Sequence, residues 1–366
     1  MSSVASARLR ALYDAAGARW IELPVLHPAD PFLETAGEDI RRRMFVTEGP
    51  QGERLALRPD FTIPLCLEHL RKKAGVARYA YEGLVFRRHD QGAPERLETG
   101  YEDIGRADRT NADAAALALA IACAAEVAAK PLAVRLGDIG VFVALLRALG
   151  LPGRWRRRLR HSFGLPDVMA ANLERMAAPP EAEARRLDPE VRAAAARGSH
   201  GLAALIAERR LAHGHGDGAG RAPAEIAERF FERRALPDPA IAARAGEVLG
   251  DYFALEAELA AAADALRDFA DARGLDLGEA LGLFAERATA IAALAPAAQM
   301  RFEAGFGRPL DYYTGLVFEV RAEGDAAPLI GGGRYDRLME MLGAERSMPA
   351  VGFTMRLDLY GAGEKR

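Results

Sequence analysis

Two alternating segments constrain the fold more than any other feature of the sequence. Residues 79–87 and 98–104 alternate, or nearly alternate, apolar and polar side chains, and residues 90–94 between them contain glycine and proline. Alternation with a period of two is typical of a half-buried strand, and a connection of this composition is typical of a turn. The segments therefore predict an antiparallel strand pair, and residues 44–46 and 55–57 predict a second hairpin.

Helical patterns surround these strands. We predict helices over residues 1–19 and 61–73. A long alanine-rich helix to about Lys130 is predicted to open at a capping box formed by Thr110 and Asp113. The remaining predicted strands cover residues 20–26, 131–136, 311–321, 328–330 and 350–356.

The middle of the chain differs in composition from both ends. From about residue 151 to residue 296 it is rich in alanine, arginine, glutamate and leucine, which is typical of helices. We therefore predict an α+β core formed by residues 1–150 and 297–366, with a mostly helical insertion over 151–296. A chain of 366 residues is long enough for two units, because a domain takes about 100–200 residues.

Charge and cysteine usage exclude several classes of protein. A formal net charge of −3 gives no basic field to neutralise phosphates, so we expect no nucleic-acid partner. Two cysteines are too few for a disulfide framework. The N-terminus has no apolar signal segment. The apolar stretch 114–125 is shorter than the roughly 20 residues of a membrane span. We expect a cytoplasmic protein that is not bound to a membrane.

No cofactor or metal site is predicted. The histidines most suggestive of a metal site, His213 and His215, are separated by glycine, which gives ligands no rigid geometry. The basic run 154–160 is interpreted as a solvated helix face or a partner contact.

Polar clusters beside apolar strands indicate a binding site. Glu98 and Glu102 share one face of a strand, because residues separated by an even number point the same way, and further clusters occupy 58–62, 86–88 and 308–315. Carboxylates, arginines and phenols together suit a small zwitterion with a polar ring. Ordinary edge ion pairs explain any one residue equally well, but four clusters would each have to place costly charge on a sheet for no binding purpose.

Four motifs carry a family resemblance. Their sequences, order and approximate spacing resemble those of histidyl-tRNA synthetase and its regulatory paralogue, over roughly residues 5–145 and 300–360. The resemblance implies a class II aminoacyl-tRNA synthetase-like catalytic-core fold, with an antiparallel sheet flanked by helices. The motifs are LRPDFT (57–62), YEGLVFR (81–87), LDYYTGLVFE (310–319) and GGGRYD (331–336).

The resemblance also implies a histidine-binding site. The family pattern places Asp60 and Thr62 on the α-ammonium of the ligand, and Glu102 and Tyr313 on its two imidazole nitrogens. Position 98, usually glutamine in the family, is Glu98 here, so its contact with the ammonium would be charged. The other implied residues are Arg87 and Arg308 facing a carboxylate or phosphate, Tyr312 and Tyr335 beside the ring, and Arg334 shaping the loop.

Departures from the family pattern argue against tRNA charging. In GFTMRLDL (352–359), Leu359 stands where the family's last motif ends in arginine and Arg356 where it has a glycine, so the cations that would hold ATP are incomplete. His89 replaces a glutamate, and the chain ends at Arg366 without an anticodon-binding domain. We therefore expect no catalytic residues. We expect a regulatory subunit of ATP phosphoribosyltransferase that binds histidine for feedback control of the first step of histidine biosynthesis.

The resemblance implies partners as well. Pro24 occupies the family's dimer-interface position, which implies a homodimer that assembles with the short-form catalytic subunit into a hetero-oligomer. Because Arg87 and Arg308 are retained, one alternative is a histidine-activating, adenylate-forming enzyme or a synthetase-like ligase. Another is a dimerisation scaffold that binds no ligand. Histidine calorimetry and ATP–pyrophosphate exchange distinguish these alternatives.

Overall fold

The chain divides into two units in the computed structural model. Unit 1 comprises Met1–Ala148, Phe163–Leu165 and Asp251–Arg366, and unit 2 comprises Leu149–Ser162 and Pro166–Gly250. The structure describes residues 3–35, 37–88, 93–178, 187–212, 221–234, 236–295, 299–308, 310, 312–325 and 327–359.

Short helices alternate with strands in the first part of unit 1, helices follow in unit 2, and strands return afterwards. Unit 1 begins with α1 (Ser3–Ala15), β1 (Arg19–Trp20), β2 (Leu26–Pro28), α2 (Asp30–Thr35), α3 (Gly37–Arg43), β3 (Val46–Glu48), β4 (Arg54–Leu57), α4 (Thr62–Arg71), β5 (Ala77–Phe86), β6 (Glu95–Ile104), α5 (Arg109–Ala125), β7 (Leu132–Asp138) and α6 (Ile139–Ala148). The next elements are α7 (Gly153–His161), α8 (Pro166–Ala177), α9 (Pro189–Ala196), α10 (Gly198–Ala212), α11 (Pro223–Arg234) and α12 (Pro239–Phe253). Unit 1 resumes with β8 (Glu256–Glu258), α13 (Leu259–Asp271), α14 (Glu279–Leu294), β9 (Gln299–Glu303), β10 (Leu316–Ala322), β11 (Ile330–Arg334), α15 (Leu338–Met341) and β12 (Ala350–Arg356).

A nine-stranded sheet forms the centre of unit 1. Its strand order is β1-β5-β6-β12-β11-β10-β7-β9-β8. All neighbours pair antiparallel except β1 with β5 and β7 with β9, which are parallel. With α5 and α14 packed together beside the sheet, the predicted α+β class is confirmed, although the sheet is mixed rather than wholly antiparallel.

The two predicted hairpins are confirmed, although the first strand of the second hairpin is Val46–Glu48 instead of residues 44–46. β5 and β6 pair antiparallel over their whole length, with Tyr79 opposite Glu102 and Gly83 opposite Glu98. β3 and β4 also pair antiparallel, in a separate three-stranded sheet that β2 completes. The β5–β6 hairpin was predictable although residues 98–104 of β6 are all buried, because the connection containing glycine and proline marks the turn between the two segments.

Two local predictions differ from the structure. The long helix begins after Asp108, whose Oδ1 accepts a hydrogen bond from the Asn111 backbone N–H at 3.1 Å, so Asp108 and not Thr110 is the capping residue. The strand predicted from residue 311 begins only at Leu316, and Asp311 lies outside the described residues.

The glycine run 331–333 lies within β11, beyond the predicted strand 328–330. A Cβ on Gly332 would approach the Gly352 carbonyl oxygen to 2.5 Å and the Phe318 ring to 2.6 Å. Only glycine therefore lets the neighbouring strands and the Phe318 ring come this close.

The predicted insertion was longer than unit 2. Residues 251–296 were assigned to it, but β8 pairs with β9 in the main sheet, and α14 packs against α5 of unit 1. Their alanine-rich composition resembles that of unit 2, so composition alone placed the boundary too late. Within unit 2, helices α9 to α11 bury a core of Ala194, Leu202, Leu205 and Ala227.

Among the described residues, no helix is long and apolar enough to cross a bilayer.

Candidate functional site

A cavity of about 220 Å³ opens where β6, β12 and β11 lie side by side. Every residue predicted for the ligand site lines this cavity except Arg334. Sequence reasoning missed the rest of the lining, which consists of Arg96, Leu310, Pro328, Leu329, Gly331, Gly352, Phe353, Thr354 and Arg356.

The chain entering α4 carries two of the lining residues, Asp60 and the first helical residue Thr62, and is held in place by Arg58. The Arg58 guanidinium donates to the carbonyl oxygens of Leu23 and Leu84, both at 2.7 Å, and lies 3.9 Å from the centre of the Phe61 ring. Arg58 does not line the cavity itself. It is therefore a structural residue that fixes the backbone on which Asp60 and Thr62 stand.

Glycines leave room for two of the charged side chains on the sheet. A Cβ on Gly352 would lie 1.6 Å from Oε2 of Glu102, its partner in the β6–β12 register. A Cβ on Gly331 would lie 2.0 Å from Nη1 of Arg308. Glu102 and Arg308 can lie flat against the strands only because these positions have no side chain.

Glu102 is buried at the bottom of the site and has a hydrogen bond on each carboxyl oxygen. The Thr62 hydroxyl donates to Oε1 at 2.8 Å, and the Tyr335 hydroxyl donates to Oε2 at 2.5 Å. Burial raises the pKa of Glu102 to about 8, despite the opposing effect of both hydroxyls. This carboxyl therefore holds a proton at neutral pH. When Glu102 donates that proton in a hydrogen bond to one of the two hydroxyls, that hydroxyl accepts instead of donating.

Asp60 and Glu98 present buried carboxyl oxygens without partners. Asp60 Oδ1 accepts from the Ile63 backbone N–H at 3.0 Å, whereas Asp60 Oδ2 and Glu98 Oε2 have no hydrogen-bond partner within the described part of the chain. Burial raises the pKa of both groups, and the nearby Arg87 guanidinium lowers it. Buried acceptors left unpaired cost free energy, so these two oxygens suit the ammonium of a ligand.

Arginines and tyrosines form other parts of the lining. Arg87 donates through Nε to the Pro59 carbonyl oxygen at 2.6 Å, and Arg308 donates through Nη1 to Glu319 at 2.9 Å. Arg308 Nε is buried without a hydrogen-bond partner among the described residues. Three buried tyrosines stand together, because Tyr312 lies 5.0 Å from Tyr313 and 5.8 Å from Tyr335 between ring centres. Such a wall suits a planar polar ring.

Arg334 does not line the cavity, although the resemblance groups it with the ligand-site residues as the one that shapes the loop. Its Nε donates to Asp113 Oδ1 at 2.8 Å, and its Nη1 donates to Asp336 Oδ1 at 2.7 Å. Neighbouring residues at the end of β11 point to opposite sides, so Tyr335 faces Glu102 while Arg334 faces α5. Arg334 holds the Gly-Gly-Arg-Tyr segment in position without touching the cavity.

The protonation of Glu102 predicts a pH-dependent stability. A carboxyl titrates at about 4.3 when unfolded, so between that value and about 8 the folded chain binds a proton that the unfolded chain has lost. The stabilisation that this proton gives the folded state is complete below the unfolded pKa of about 4.3 and is lost as the pH rises through the folded pKa of about 8. We expect the free energy of unfolding to fall by about 1 kcal/mol between pH 7 and pH 8 in urea titrations.

Glu102→Gln provides the control for this expectation, because glutamine keeps the size and the acceptor oxygen of the side chain but does not titrate. The variant should show a smaller loss over the same interval. Equal slopes for the wild type and the variant would assign the pH dependence to other groups.

The described residues contain no group of three or more His, Cys, Asp or Glu side chains that could hold a metal ion, and His213 and His215 lie outside them.

Comparison with known proteins identifies the family. The family model described as histidyl-tRNA synthetase matches residues 2–214 and 221–359. The chain is 46% identical over 341 residues to an ATP phosphoribosyltransferase regulatory subunit of Chelativorans sp., covering 92% of this chain and 91% of the relative. It is 45% identical over 357 residues to a protein of the same name from Mesorhizobium japonicum, covering 96% and 95%.

Solved structures show the same fold. An ATP phosphoribosyltransferase regulatory subunit/histidyl-tRNA synthetase from Bacillus halodurans aligns with a TM-score of 0.66 at 21% identity, covering 97% of this chain and 77% of that one. A histidyl-tRNA synthetase from Nostoc sp. PCC 7120 aligns with a TM-score of 0.63 at 15% identity, covering 97% and 69%. The predicted class II synthetase-like core is thereby confirmed.

Three findings point to the same family. They are the sequence motifs, the cavity that their residues line, and the extent of these matches. The chain belongs to the histidyl-tRNA synthetase family, and within it to the ATP phosphoribosyltransferase regulatory subunits.

Proposed function

We propose that this protein is a non-catalytic regulatory subunit that binds free histidine in the cavity and thereby controls an ATP phosphoribosyltransferase by feedback, at the first step of histidine biosynthesis. One observation carries the proposal: a single small cavity combines unpartnered buried carboxyl oxygens, arginines and a tyrosine wall. Each of these groups complements a different part of histidine.

We propose one orientation for histidine in this lining. Its ammonium meets Asp60 Oδ2 and Glu98 Oε2, the oxygens without other partners. Its carboxylate meets the Arg308 guanidinium, and its ring lies between Glu102 and Tyr313. The retained proton of Glu102 is then available to hydrogen-bond an imidazole nitrogen.

Regulation requires histidine to bind one state of the complex better than another. A hundredfold difference in affinity supplies about 2.7 kcal/mol, which is enough to shift a two-state equilibrium strongly. The partner in the proposal is the short-form catalytic subunit. Support comes from the name of the relatives, ATP phosphoribosyltransferase regulatory subunit, which implies a catalytic partner. A homodimer through the Pro24 region is proposed as well, because Val25 and Leu26 directly after Pro24, and Val46 in the same three-stranded sheet, are exposed apolar residues.

The cavity also supports the loss of synthetase chemistry. Arg356, which stands where the family pattern has glycine, lines the cavity and pairs with Asp358 at 2.7 Å. A long side chain therefore occupies a place that the family leaves open. A histidine-activating enzyme is the second candidate, since Arg87 and Arg308 both line the cavity.

Two measurements on the purified chain test the proposal. Isothermal titration calorimetry should show saturable binding of histidine, and ATP–pyrophosphate exchange in the presence of histidine should stay at background. Exchange above background would establish the histidine-activating enzyme instead. Absence of any histidine binding would leave the dimerisation scaffold as the remaining reading.

A further inference from the structure

Two arginines that no motif singled out for the ligand, Arg96 and Arg356, line the cavity. Arg96 lies on β6 two residues before Glu98, so both side chains stand on one face of the strand. Arg356 is the partner of Glu98 in the β6–β12 register. Arg96 and Arg356 are therefore diagonal neighbours on the cavity side of the sheet, at a typical spacing of about 7–8 Å.

The positive charge at this end of the cavity is only partly compensated. Arg356 is paired with Asp358, at 3.2 Å through Nε and 2.7 Å through Nη2. The Arg96 guanidinium has no hydrogen bond or ion pair with any described residue. Burial lowers the pKa of Arg96, and repulsion from Arg356 and Arg87 lowers it further, against the attraction of nearby carboxylates.

Like charges brought together on one sheet face cost stability. Guanidinium groups that converge on open space suit phosphate oxygens, because each planar fork donates two parallel hydrogen bonds. Arg87 adds a third cation, since it lines the same cavity and its positive charge lowers the pKa of Arg96. Arg96 lies six residues before Glu102 on β6, about 20 Å along the strand, so the arginines stand at one end of the cavity and the hydrogen-bonded pair of Glu102 and Tyr335 at the other.

We propose that Arg96 and Arg356, assisted by Arg87, form a second subsite of the cavity that binds a phosphate-class anion. Its occupant is inorganic phosphate, pyrophosphate or the phosphate group of a small ester. Neither Arg96 nor Arg356 belongs to the residues that the family pattern assigns to a ligand. The inference goes beyond the proposed function, because it adds a second effector and holds whether or not histidine binds.

The test is calorimetric titration of the full chain with sodium pyrophosphate. Ionic strength is held constant with sodium chloride, because screening alone changes the attraction of any anion to arginine. Arg96→Gln and Arg356→Gln are each expected to weaken pyrophosphate binding about tenfold or more, since each removes a charge-assisted contact. The matched control is Arg301→Gln, an exposed arginine of β9 that pairs with Glu256 outside the cavity, and it should change the Kd less than about twofold.

A second readout separates binding from a structural role. Pyrophosphate should raise the urea unfolding midpoint of the wild type but not that of Arg96→Gln. Without pyrophosphate, Arg96→Gln should be at least as stable as the wild type, because it removes repulsion.

Comparing inorganic phosphate with ribose 5-phosphate on the same proteins identifies the source of the anion. The proposal is supported if one of these two compounds binds the wild type more tightly than the other does and if Arg96→Gln weakens that binding. Equal pyrophosphate affinity in the wild type and Arg96→Gln, or no saturable binding by the wild type, would overturn it.

Discussion

Asp113→Ala is expected to lower the free energy of unfolding of unit 1 by about 3–5 kcal/mol. Asp113 is fully buried on α5, and its two oxygens accept hydrogen bonds from Arg287 Nε at 2.7 Å and Arg334 Nε at 2.8 Å. Arg287 also pairs with Asp138, and Arg334 with Asp336. Alanine leaves two buried guanidinium groups with too few acceptors, and an uncompensated buried charge is far more costly than a lost surface pair.

Urea unfolding measures this loss if the signal comes from unit 1 alone. The chain has two tryptophans, Trp20 in unit 1 and Trp155 in unit 2, so a Trp155→Phe background leaves Trp20 fluorescence as the reporter. The control is Asp325→Ala, which removes a half-exposed ion pair with Lys130 and should cost less than about 1 kcal/mol. A similar loss in both variants would show that the Asp113 network contributes no more than a surface pair.

This network explains why one motif residue was misassigned. Arg334 and Tyr335 are adjacent in the chain, and the resemblance places both in the ligand site, Tyr335 beside the ring and Arg334 shaping the loop. Adjacent residues at the end of a strand point to opposite sides, which places Tyr335 on Glu102 and Arg334 on Asp113. The sequence contained the information needed for this distinction, but only once the segment was known to be a strand and not a loop.

Other features of the site could be predicted because they are local. The alternation of β6 places Glu98 and Glu102 on one face, and the structure has both in the cavity. Arg96 has the same alternation and could have been found by extending the pattern two residues toward the N-terminus. Arg96 lies outside the family motifs and outside the four polar clusters, so neither signal includes it.

Non-local features could not be predicted. The approach of Arg356 to Glu98 depends on the register between β12 and β6, whose partners are more than two hundred residues apart in sequence. The space above Gly352 and Gly331 depends on where Glu102 and Arg308 lie in the folded chain. The return of the chain to the core at Asp251 depends on β8 pairing with β9, which helix composition does not reveal.

Histidine affinity should fall by about 10- to 100-fold in Asp60→Asn, a loss of about 1.5–3 kcal/mol. Asp60 Oδ1 accepts from the Ile63 backbone N–H, and Oδ2 is buried without a partner among the described residues. Asparagine keeps an acceptor for Ile63 but offers the ammonium no negative charge. Asparagine therefore removes the negative charge and keeps the structural hydrogen bond, whereas alanine would remove both.

Calorimetric titration with histidine measures this change, and Asp30→Asn is the control. Asp30 is an exposed aspartate paired with Arg54 at 2.7 Å outside the cavity, so its substitution should leave the histidine Kd within about twofold of the wild-type value. Asp60→Ala should bind as weakly as Asp60→Asn or more weakly, and should also be less stable because Ile63 N–H loses its acceptor. If Asp60→Asn binds histidine as tightly as the wild type, the ammonium does not rest on Asp60, and the orientation proposed for histidine in this cavity is wrong.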